Sequence, residues 1–426
     1  MMRNPFESTV YGGLVLVCSA GLLWAAPPNA KEVINTYADI ALAGYEDSLA
    51  TARDLQRDVT ALIKDPSPDT LEAAREAWLA ARIPYQQTEV YRFGNPIVDD
   101  WEGKVNAWPL DEGLIDYVAE LYGTETDENQ LYSANVIANR QLKVGGRDLE
   151  VPNITADFLS KILHEADGIE ANVATGYHAI EFLLWGQDLN GTGPGKGNRP
   201  ATDFDQKACT GGNCDRRVEY LMAVVDLLIE DLTWIVAQWK PDGDARNALL
   251  VGDGVKGIIA IFTGMGSLSY GELAGERMKL GLLLHDPEEE HDCFSDNTHN
   301  SHYYDVIGIQ NIYLGRYERV DGSVVRGPSP SDLVKAADAT VDQRLRDALA
   351  NSVSKFRAIV ERAETKEAYD QMIGEGNETG NAVVEAAIAT LLSQTKEIER
   401  AIHALDLKPI QFEGSDSLND PASVAQ

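Results

Sequence analysis

Residues 31–63 read KEVINTYADIALAGYEDSLATARDLQRDVTALI, and apolar residues recur in this stretch every three or four positions. That spacing is typical of one face of an amphipathic helix. The same period continues along most of the chain, and we find no alternating strand pattern bounded by hairpin turns. The sequence therefore predicts an all-α protein with helices at residues 31–63, 69–93, 155–186, 215–240, 244–284, 302–317, 331–363 and 377–405.

The length of the chain, 426 residues, exceeds what a single hydrophobic core usually organises, so more than one domain is expected. The stretch GQDLNGTGPGKGNRPATDFD at 186–205 is rich in Gly, Pro and Asn, and it is the best candidate for a domain boundary. We predict two packed helical-bundle domains, at residues 31–205 and 206–412, followed by a flexible polar tail at 413–426.

The charge of the chain is strongly acidic, with 36 Lys and Arg against 68 Asp and Glu and a formal net charge of −32. Nucleic acids and anionic membrane surfaces are bound through Lys and Arg, so neither is an expected partner. An acidic excess of this size raises the local concentration of cations around the protein.

The amino-terminal residues 1–30 have the pattern of a secretory signal peptide. A basic start is followed by the apolar run GGLVLVCSAGLLW at 12–24 and by the small residues and prolines AAPPNA at 25–30. The run is too short for a comfortable membrane span. We therefore expect a mature chain without a transmembrane domain, located in the periplasm or cell envelope. A lipid-anchored start at Cys18 is the alternative, which the bulky Val17 disfavours.

The remaining cysteines are interpreted in the light of this export signal. Cys209 and Cys214 flank the turn-rich sequence Thr-Gly-Gly-Asn, so a disulfide-closed loop is feasible outside the cytoplasm. Two unpaired loop thiols are the alternative. Cys293 is then left over, and a buried structural thiol is the expected role.

The densest candidate site is ATGYHAIEFLLW at residues 174–185. His178 and Glu181 are three positions apart, which places an imidazole and a carboxylate on one helical face, where they can bind one cation. Spacing alone is weak evidence, because five of the seven histidines have an acidic residue three positions later. His178 differs from most of the others in its apolar neighbours, and a buried pair of this kind is costly unless it is satisfied. The sequence is consistent with two interpretations of His178 and Glu181, a functional site and a hydrogen-bonded pair in the core.

A second candidate carboxylate is Glu89. It falls on the same helical stripe as Trp78 and Tyr85, so it is expected to face inward. A core helix in which Glu89 forms a salt bridge with Arg82 or Arg92 is the alternative.

Further candidates lie in turns and in a long loop. The sequence NAWPLDEGLID contains Asp111 and Asp116 on either side of a turn, and GELAGERM contains Glu276. The loop EEEHDCFSDNTH at 288–299 contains two histidines and Asp296. Taken alone, an acidic loop of this kind is usually solvated.

Several common catalytic patterns do not occur in the sequence. The segment His-Ala-Ile-Glu lacks the adjacent base and the second imidazole of a zincin helix. No Walker loop or dinucleotide-binding glycine pattern follows a strand, and no Gly-x-Ser-x-Gly elbow is found.

The pattern Gly176-x-His178-x-x-Glu181 resembles the signature of imelysin-like proteins, and the segments WPLDEG and FSDNTH resemble the iron-regulated branch of that family. The likeness extends over roughly residues 31–410. It implies a bacterial envelope protein of two helical-bundle domains that acts in iron acquisition, with the signature near the domain interface. The founding member was described as a peptidase, so a metallopeptidase using the same His-x-x-Glu pair is the alternative function.

Carried over by motif, the resemblance implies a metal site that draws its ligands from separated stretches of the chain. The implied ligands are His178, Glu181, Glu89, Asp111, Glu276 and Asp296. The expected metal is iron, with zinc or manganese as alternatives. The expected partners are the metal ion or a metal chelate and an envelope transport protein. Since a ligating His must be neutral, acidification below the usual imidazole pKa of about 6.5 is expected to release the metal.

Overall fold

A computed structural model describes residues 28–123, 126 and 129–424 of the chain. Helices predominate in these residues and strands are confined to two short hairpins, which confirms the all-α fold. Residues 1–27, which include most of the predicted signal peptide and Cys18, lie outside the described residues. The helices are α1 (Ala30–Lys64), α2 (Pro68–Gln86), α3 (Pro96–Asn106), α4 (Glu112–Ile115), α5 (Ala156–Phe158), α6 (Gly176–Trp185), α7 (Cys214–Trp239), α8 (Asp244–Leu249), α9 (Val255–Ser267), α10 (Leu280–Leu284), α11 (Thr298–Leu314), α12 (Pro330–Ala337), α13 (Ala339–Thr365), α14 (Tyr369–Ile373), α15 (Glu378–Ala404), α16 (Asp416–Asn419) and α17 (Pro421–Val424).

Capping residues determine where the first two long helices begin. The Asn29 side chain accepts a hydrogen bond from the Glu32 backbone N–H at 3.1 Å, and Glu32 accepts one from the Asn29 backbone N–H at 2.9 Å. Ser67 and Thr70 form the same reciprocal pair at α2, with Pro68 in the first helical position. Such capping boxes satisfy N–H groups that have no partner within the helix, so the sequence specifies both starts.

The packing of the first half encloses α6. Helix α1 packs against both α2 and α7, while α6 contacts α2, α3 and α7. Every residue of α6 is buried. Gly176 has a φ of +83°, and a Cβ at this position would lie 2.4 Å from the carbonyl oxygen of Val105. Glycine is therefore required here both by the backbone conformation and by the close approach of α3.

The second half packs around α13 and α15. These helices contact each other, α11 packs against α13, and α15 contacts the π-helical segment Leu268–Lys279. Helix α7 follows the predicted boundary near residue 205 but packs against α1 and α6, which precede it. The boundary itself stays a prediction. Among the residues described, no helix combines the length and hydrophobicity that a membrane crossing requires.

The predicted continuous helix at 244–284 is wrong. The chain leaves the helical conformation after α8 and re-enters it at α9, and Gly252 and Gly254 lie between them with φ of +74° and +89°. Glycine adopts this left-handed region at little cost, whereas a helix interior excludes it. The helical period of the flanking apolar residues concealed the break.

The expectation that strands are absent is also wrong at two places. Strands β1 (Gln141–Val144) and β2 (Arg147–Glu150) form an antiparallel hairpin, as do β3 (Arg316–Glu318) and β4 (Val324–Arg326). The first hairpin turns at Gly145 and Gly146, both with positive φ, which is the backbone geometry of a tight two-residue turn.

The predicted disulfide loop and the predicted tail can both be located in the structure. Cys209 and Cys214 form a disulfide, with 5.9 Å between their Cα atoms, as the short loop predicts. The tail after Phe412, which the sequence predicts to be flexible, lies against the π-helical segment in the structure. There Ser415 and Ser417 are buried, and the Ser417 hydroxyl donates to the Gly275 carbonyl oxygen at 2.9 Å.

Candidate metal centre

Two imidazoles and a carboxylate converge in the interior of the protein. His178, His291 and Asp292 each offer one ligand atom, and these atoms lie within 4.8 Å of one another. All three side chains are buried. In the described part of the chain this is the one group of three or more His, Cys, Asp or Glu side chains whose ligand atoms come so close together. We refer to these three residues with Glu181 as the histidine cluster.

Helix α6 supplies the first half of the histidine cluster. His178 Nδ1 lies 3.1 Å from Glu181 Oε2, so the predicted placement of the two side chains on one helical face is confirmed. The other carboxylate oxygen of Glu181 accepts hydrogen bonds from the backbone N–H and the hydroxyl of Ser295, at 3.0 and 2.6 Å. Glu181 therefore orients the imidazole and is itself held by the loop that follows α10.

That loop supplies the second half. Asp292 Oδ1 accepts a hydrogen bond from Arg82 at 2.9 Å, and Asp292 Oδ2 accepts from Asn297 at 2.8 Å and from the Ser301 hydroxyl. Arg82 also donates to Asn106 Oδ1 at 2.6 Å. Both charges of the Arg82–Asp292 pair are buried, so each depends on the other for compensation.

The two imidazoles face each other. Their ring centroids are 4.7 Å apart and the rings are inclined by 75°. His291 Nε2 lies 3.4 Å from Asn106 Nδ2, whereas His178 Nε2 and His291 Nδ1 are buried without a hydrogen-bond partner among the described residues. Buried polar atoms are rarely left unpaired, so these nitrogens are candidates for binding a ligand.

Burial sets the ionisation of the histidine cluster. Burial, with the nearby Arg82 guanidinium, lowers the pKa of His178 to about 3, and burial places the pKa of His291 well below its usual value. Burial and repulsion by Asp292 raise the pKa of Glu181 well above the usual range. Burial alone would also raise the pKa of Asp292, but the Arg82 guanidinium outweighs it and lowers that pKa. Both imidazoles are therefore neutral at neutral pH, which is the form that binds metals.

An acidic cavity of about 720 Å³ adjoins the histidine cluster. His291, Asn106 and Trp108 line one part of it. Its other charged lining residues are mostly acidic and comprise Arg92, Asp99, Glu102, Glu165, Glu170, Glu272, Glu276, Arg277 and Glu289. Through His291 the cluster has a negatively charged approach, which favours cations.

The other predicted ligands are not among the three residues whose ligand atoms converge. Glu276 lines the acidic cavity. Glu89 is buried, as predicted, and its carboxylate accepts a hydrogen bond from Arg277 at 2.6 Å. Glu89 thus forms a salt bridge, as the alternative expected, but with Arg277 and not with Arg82 or Arg92.

The two aspartates predicted from turns and loops also have other surroundings. Asp111 is partly buried and hydrogen-bonded to Asn129, and burial raises its pKa. Asp116, its companion in the sequence, binds Arg199 and Arg217. Asp296 lies beside further carboxylates, and burial and Asp370 raise its pKa to about 8.

Sequence reasoning missed His291 and Asp292 as ligands, although both belong to the acidic loop at 288–299 that it singled out. The signal present was the adjacent His-Asp pair in a loop that is otherwise acidic. Nothing in the local pattern indicates that this part of the loop is buried against α6.

These features define an all-helical protein with a buried imidazole and carboxylate cluster beside an acidic cavity. The imelysin family, also described as peptidase M75, matches residues 41–398 of the chain. The match covers most of the sequence, so the chain belongs to the imelysin family.

A curated relative matches part of the chain. Over 106 residues the chain is 28% identical to Iron-regulated protein A of Synechococcus elongatus, a match that covers 24% of this chain and 30% of that protein. The chain thus spans less than a third of the length of the curated relative that it matches.

The similar structures support the fold. One is a putative iron-regulated protein A precursor from Parabacteroides distasonis, with a TM-score of 0.62, 16% identity, and 90% of this chain and 97% of that chain covered. The other is an imelysin-like protein from Psychrobacter arcticum 273-4, with a TM-score of 0.56, 16% identity, and 90% and 99% covered. At this level of identity the likeness concerns the fold alone.

Proposed function

We propose that this protein is exported to the periplasm or cell envelope and binds a metal ion, iron in the first instance, for uptake or delivery. The observation that carries the proposal is the convergence of ligand atoms from His178, His291 and Asp292 within 4.8 Å of one another. The ligand atoms would be imidazole nitrogen and carboxylate oxygen. Iron, manganese and zinc all accept that set, so geometry and availability decide which metal is bound.

The charges of the histidine cluster favour a cation. The positive charge of Arg82 is matched by Asp292 through their hydrogen bond, and both imidazoles are neutral. Burial and Asp292 favour the protonated form of Glu181, so its ionisation would create a negative charge that has no positive partner of its own. A cation held by His178 and His291 would be that partner.

Glu181 is assigned a positioning role in this proposal. Its carboxylate lies at Nδ1 of His178, which leaves Nε2 of the same ring for the metal. Carboxylates placed behind a ligating imidazole fix the ring orientation and raise its basicity, and their loss typically lowers metal affinity about 10- to 100-fold.

Iron is preferred over zinc and manganese because of the relatives. Two of the similar proteins carry the description iron-regulated protein A, one of them over 24% of this chain and the other at the level of fold. An envelope transport protein that accepts the metal from this chain is part of the proposal. Cell fractionation, with the chain recovered in the periplasm or envelope fraction, would test the location.

The experiment is metal titration of the full mature chain after stripping with a chelator. Calorimetry with Fe²⁺ under anaerobic conditions, and with Zn²⁺ and Mn²⁺, should give one site that depends on the histidine cluster. We expect His178→Ala, His291→Ala and Glu181→Ala each to lower the affinity at least about tenfold. His403→Ala is the matched control, because His403 also has an acidic residue three positions later but is exposed.

Circular dichroism separates loss of metal binding from loss of fold. The proposal requires helical content close to wild type in the variants and weak metal binding. If His178→Ala and His291→Ala bind metal like wild type, the site is elsewhere. If His178→Ala only lowers the melting temperature and the metal content of the purified protein is unchanged, the pair is a structural core element of an interaction module.

A metallopeptidase is the second candidate function. The cavity of about 720 Å³ that adjoins His291 is large enough for part of a polypeptide, and an acidic group beside a bound metal can activate water. Incubation of the metal-loaded protein with unstructured polypeptides distinguishes the two functions. Hydrolysis that His178→Ala abolishes and His403→Ala does not would favour the peptidase.

A further inference from the structure

A second group of carboxylates lies on the other side of the loop that carries His291 and Asp292. None of its five acidic residues belongs to α6 or to the histidine cluster: Glu112 is in α4, Glu288 and Glu290 precede His291, and Asp370 is in α14. The fifth, Asp188, follows α6. Together these side chains line a void of about 10 Å³, with Cys293 and Phe294 completing part of the wall. We call these five acidic residues the carboxylate pocket.

Two members of the carboxylate pocket are buried without compensation. Glu290 is 1% exposed and Asp370 is 2% exposed, and no oxygen of either carboxylate has a hydrogen bond of good geometry among the described residues. The Thr298 side chain near Glu290 and the Gln371 backbone N–H near Asp370 each lower the pKa of the carboxyl beside them, but burial outweighs both. Isolated buried carboxylates are costly, so the arrangement requires a proton or a cation.

The surroundings supply very little positive charge. In the described part of the chain, none of the ion pairs within 4 Å involves a residue of the carboxylate pocket. Glu112 accepts a hydrogen bond from Gln187, and Asp188 accepts from Asn190, both neutral donors. The carboxylates repel one another. Burial and the charge of Glu288 raise the pKa of Glu112 to about 8, and burial with Asp188 raises that of Asp370 to about 7.

We infer that the carboxylate pocket is a second cation site, separate from the histidine cluster, for a hard divalent ion of the Ca²⁺ class. Its ligands would be oxygens of Glu290 and Asp370, with Glu112, Asp188 and Glu288 completing the shell. Oxygen-only ligands favour Ca²⁺, which accepts six to eight of them in flexible geometry, over ions that prefer imidazole.

The size and position of the void suit this occupant. A void of about 10 Å³ is close to the least that holds one water molecule, and it excludes an organic ligand. The oxygens do not converge as tightly as the ligand atoms of the histidine cluster, which is expected of carboxylates that repel one another without a cation between them. A bound cation would draw together α4, α14, the segment after α6 and the loop at 288–297. It would therefore stabilise the fold around the histidine cluster.

Calorimetric titration of the metal-stripped full chain with CaCl₂ at neutral pH and physiological ionic strength tests the inference. We expect one Ca²⁺ site in the wild type and an upward shift of the melting temperature with added Ca²⁺. Glu290→Gln and Asp370→Asn preserve side-chain size and should each lower the Ca²⁺ affinity at least about tenfold. Glu375→Gln, an exposed carboxylate five positions after Asp370, is the matched control for non-specific attraction to the acidic chain and should bind like wild type.

The choice of Ca²⁺ separates this inference from the proposed function. His178→Ala should retain Ca²⁺ binding, and Asp370→Asn should retain binding of Fe²⁺ or Zn²⁺. Absence of Ca²⁺ binding and of a melting shift in the wild type would overturn the inference, as would unchanged Ca²⁺ affinity in both pocket variants. Loss of Ca²⁺ binding in His178→Ala would overturn it too, because the ion would then belong to the histidine cluster. If Glu290→Gln does not fold, Asp370→Asn on the separate helix α14 decides.

Discussion

Buried acidic residues in and beside the loop at 288–297 have two different surroundings. On one side Asp292 has Arg82, Asn297 and Ser301 as donors, so its charge is compensated within the protein. On the other side Glu290 and Asp370 have no charged partner and no hydrogen bond of good geometry. The protein thus buries carboxylates in two ways. The charge of Asp292 is compensated by other side chains of the protein, whereas Glu290 and Asp370 require a proton or a cation from outside.

Replacing Arg82, which compensates the charge of Asp292, should have the largest effect on the stability of the protein. Arg82→Met keeps much of the side-chain volume but leaves Asp292 as a buried charge without its partner. Breaking a buried ion pair in this way typically costs about 3–5 kcal/mol, so we expect a loss of that size in the free energy of unfolding, measured by urea denaturation of the metal-stripped protein. Arg57→Met, at an exposed arginine that also has acidic partners, should leave the stability nearly unchanged.

The same measurement on the carboxylate pocket should give the opposite result. Asp370→Asn removes one of several carboxylates that repel one another, so the metal-stripped variant should be at least as stable as the wild type near pH 8. The comparison fails if Asp370→Asn is as destabilising as Arg82→Met, since Asp370 would then have a stabilising partner. It also fails if Arg82→Met is no worse than Arg57→Met.

The uncompensated carboxylates of the carboxylate pocket should also make stability depend on pH. This effect should be smaller than that of Arg82→Met. The pKa values of Glu112 and Asp370 in the folded protein are about 8 and 7, above the usual carboxyl values near 4 in the unfolded chain. Between these values the folded state binds more protons than the unfolded state, so stability is lost as pH rises from about 4, up to about pH 7 for Asp370 and up to about pH 8 for Glu112. Melting temperatures of the metal-stripped protein should fall by several degrees between about pH 7 and 9, and Ca²⁺ should reverse the fall.

The range above pH 7 is chosen because of the histidines. The pKa values of His178 and His302 are lowered to about 3 by burial, so they make the fold more stable as pH rises towards the unfolded value of about 6.5. Above that value they are neutral in both states and contribute no slope. Glu112→Gln should flatten the fall above pH 7, because Glu112 is the group that still titrates there, and Glu375→Gln should not. A stability that is constant or rising in this range would show that the pocket carboxylates are compensated.

Features of the fold and the site could be predicted from the sequence only where the interacting residues are close together in the chain. The capping box at Asn29 and the three-residue spacing of His178 and Glu181 are readable because both partners lie within one turn of a helix. The turn at Gly145 and Gly146 was also readable and was missed, because the flanking strands have only four residues each.

The remainder of the site depends on contacts between distant segments. Arg82 and Asp292 are 210 positions apart, and Glu89 is 188 positions from Arg277. The sequence predicted that Glu89 faces inward, and it is buried, although α2 ends at Gln86 and Glu89 lies in the short 3₁₀ helix Glu89–Tyr91. It could not select the partner, because any of several arginines satisfies the same local pattern. For the same reason it chose Asp296 from the acidic loop, whereas Asp292 lies beside His178.

The last prediction concerns protons released when the histidine cluster binds a metal. Acidification was expected to release the metal near the usual imidazole pKa, but burial lowers the pKa of His178 to about 3, so at neutral pH the imidazole has no extra proton to lose. Burial and Asp292 raise the pKa of Glu181 instead. A protonated Glu181 donates to His178 Nδ1, so that the imidazole proton is on Nε2. Metal binding at Nε2 moves that proton to Nδ1 and requires Glu181 to lose its own. We therefore expect about one proton released per metal bound near pH 7, and an affinity that rises with pH.

Calorimetry in buffers of different ionisation enthalpy measures the number of protons. Glu181→Gln, which cannot lose a proton, should bind metal more weakly and release none, whereas His403→Ala should behave like wild type. Proton release that persists in Glu181→Gln would assign the proton to another group and remove Glu181 from the role proposed for it.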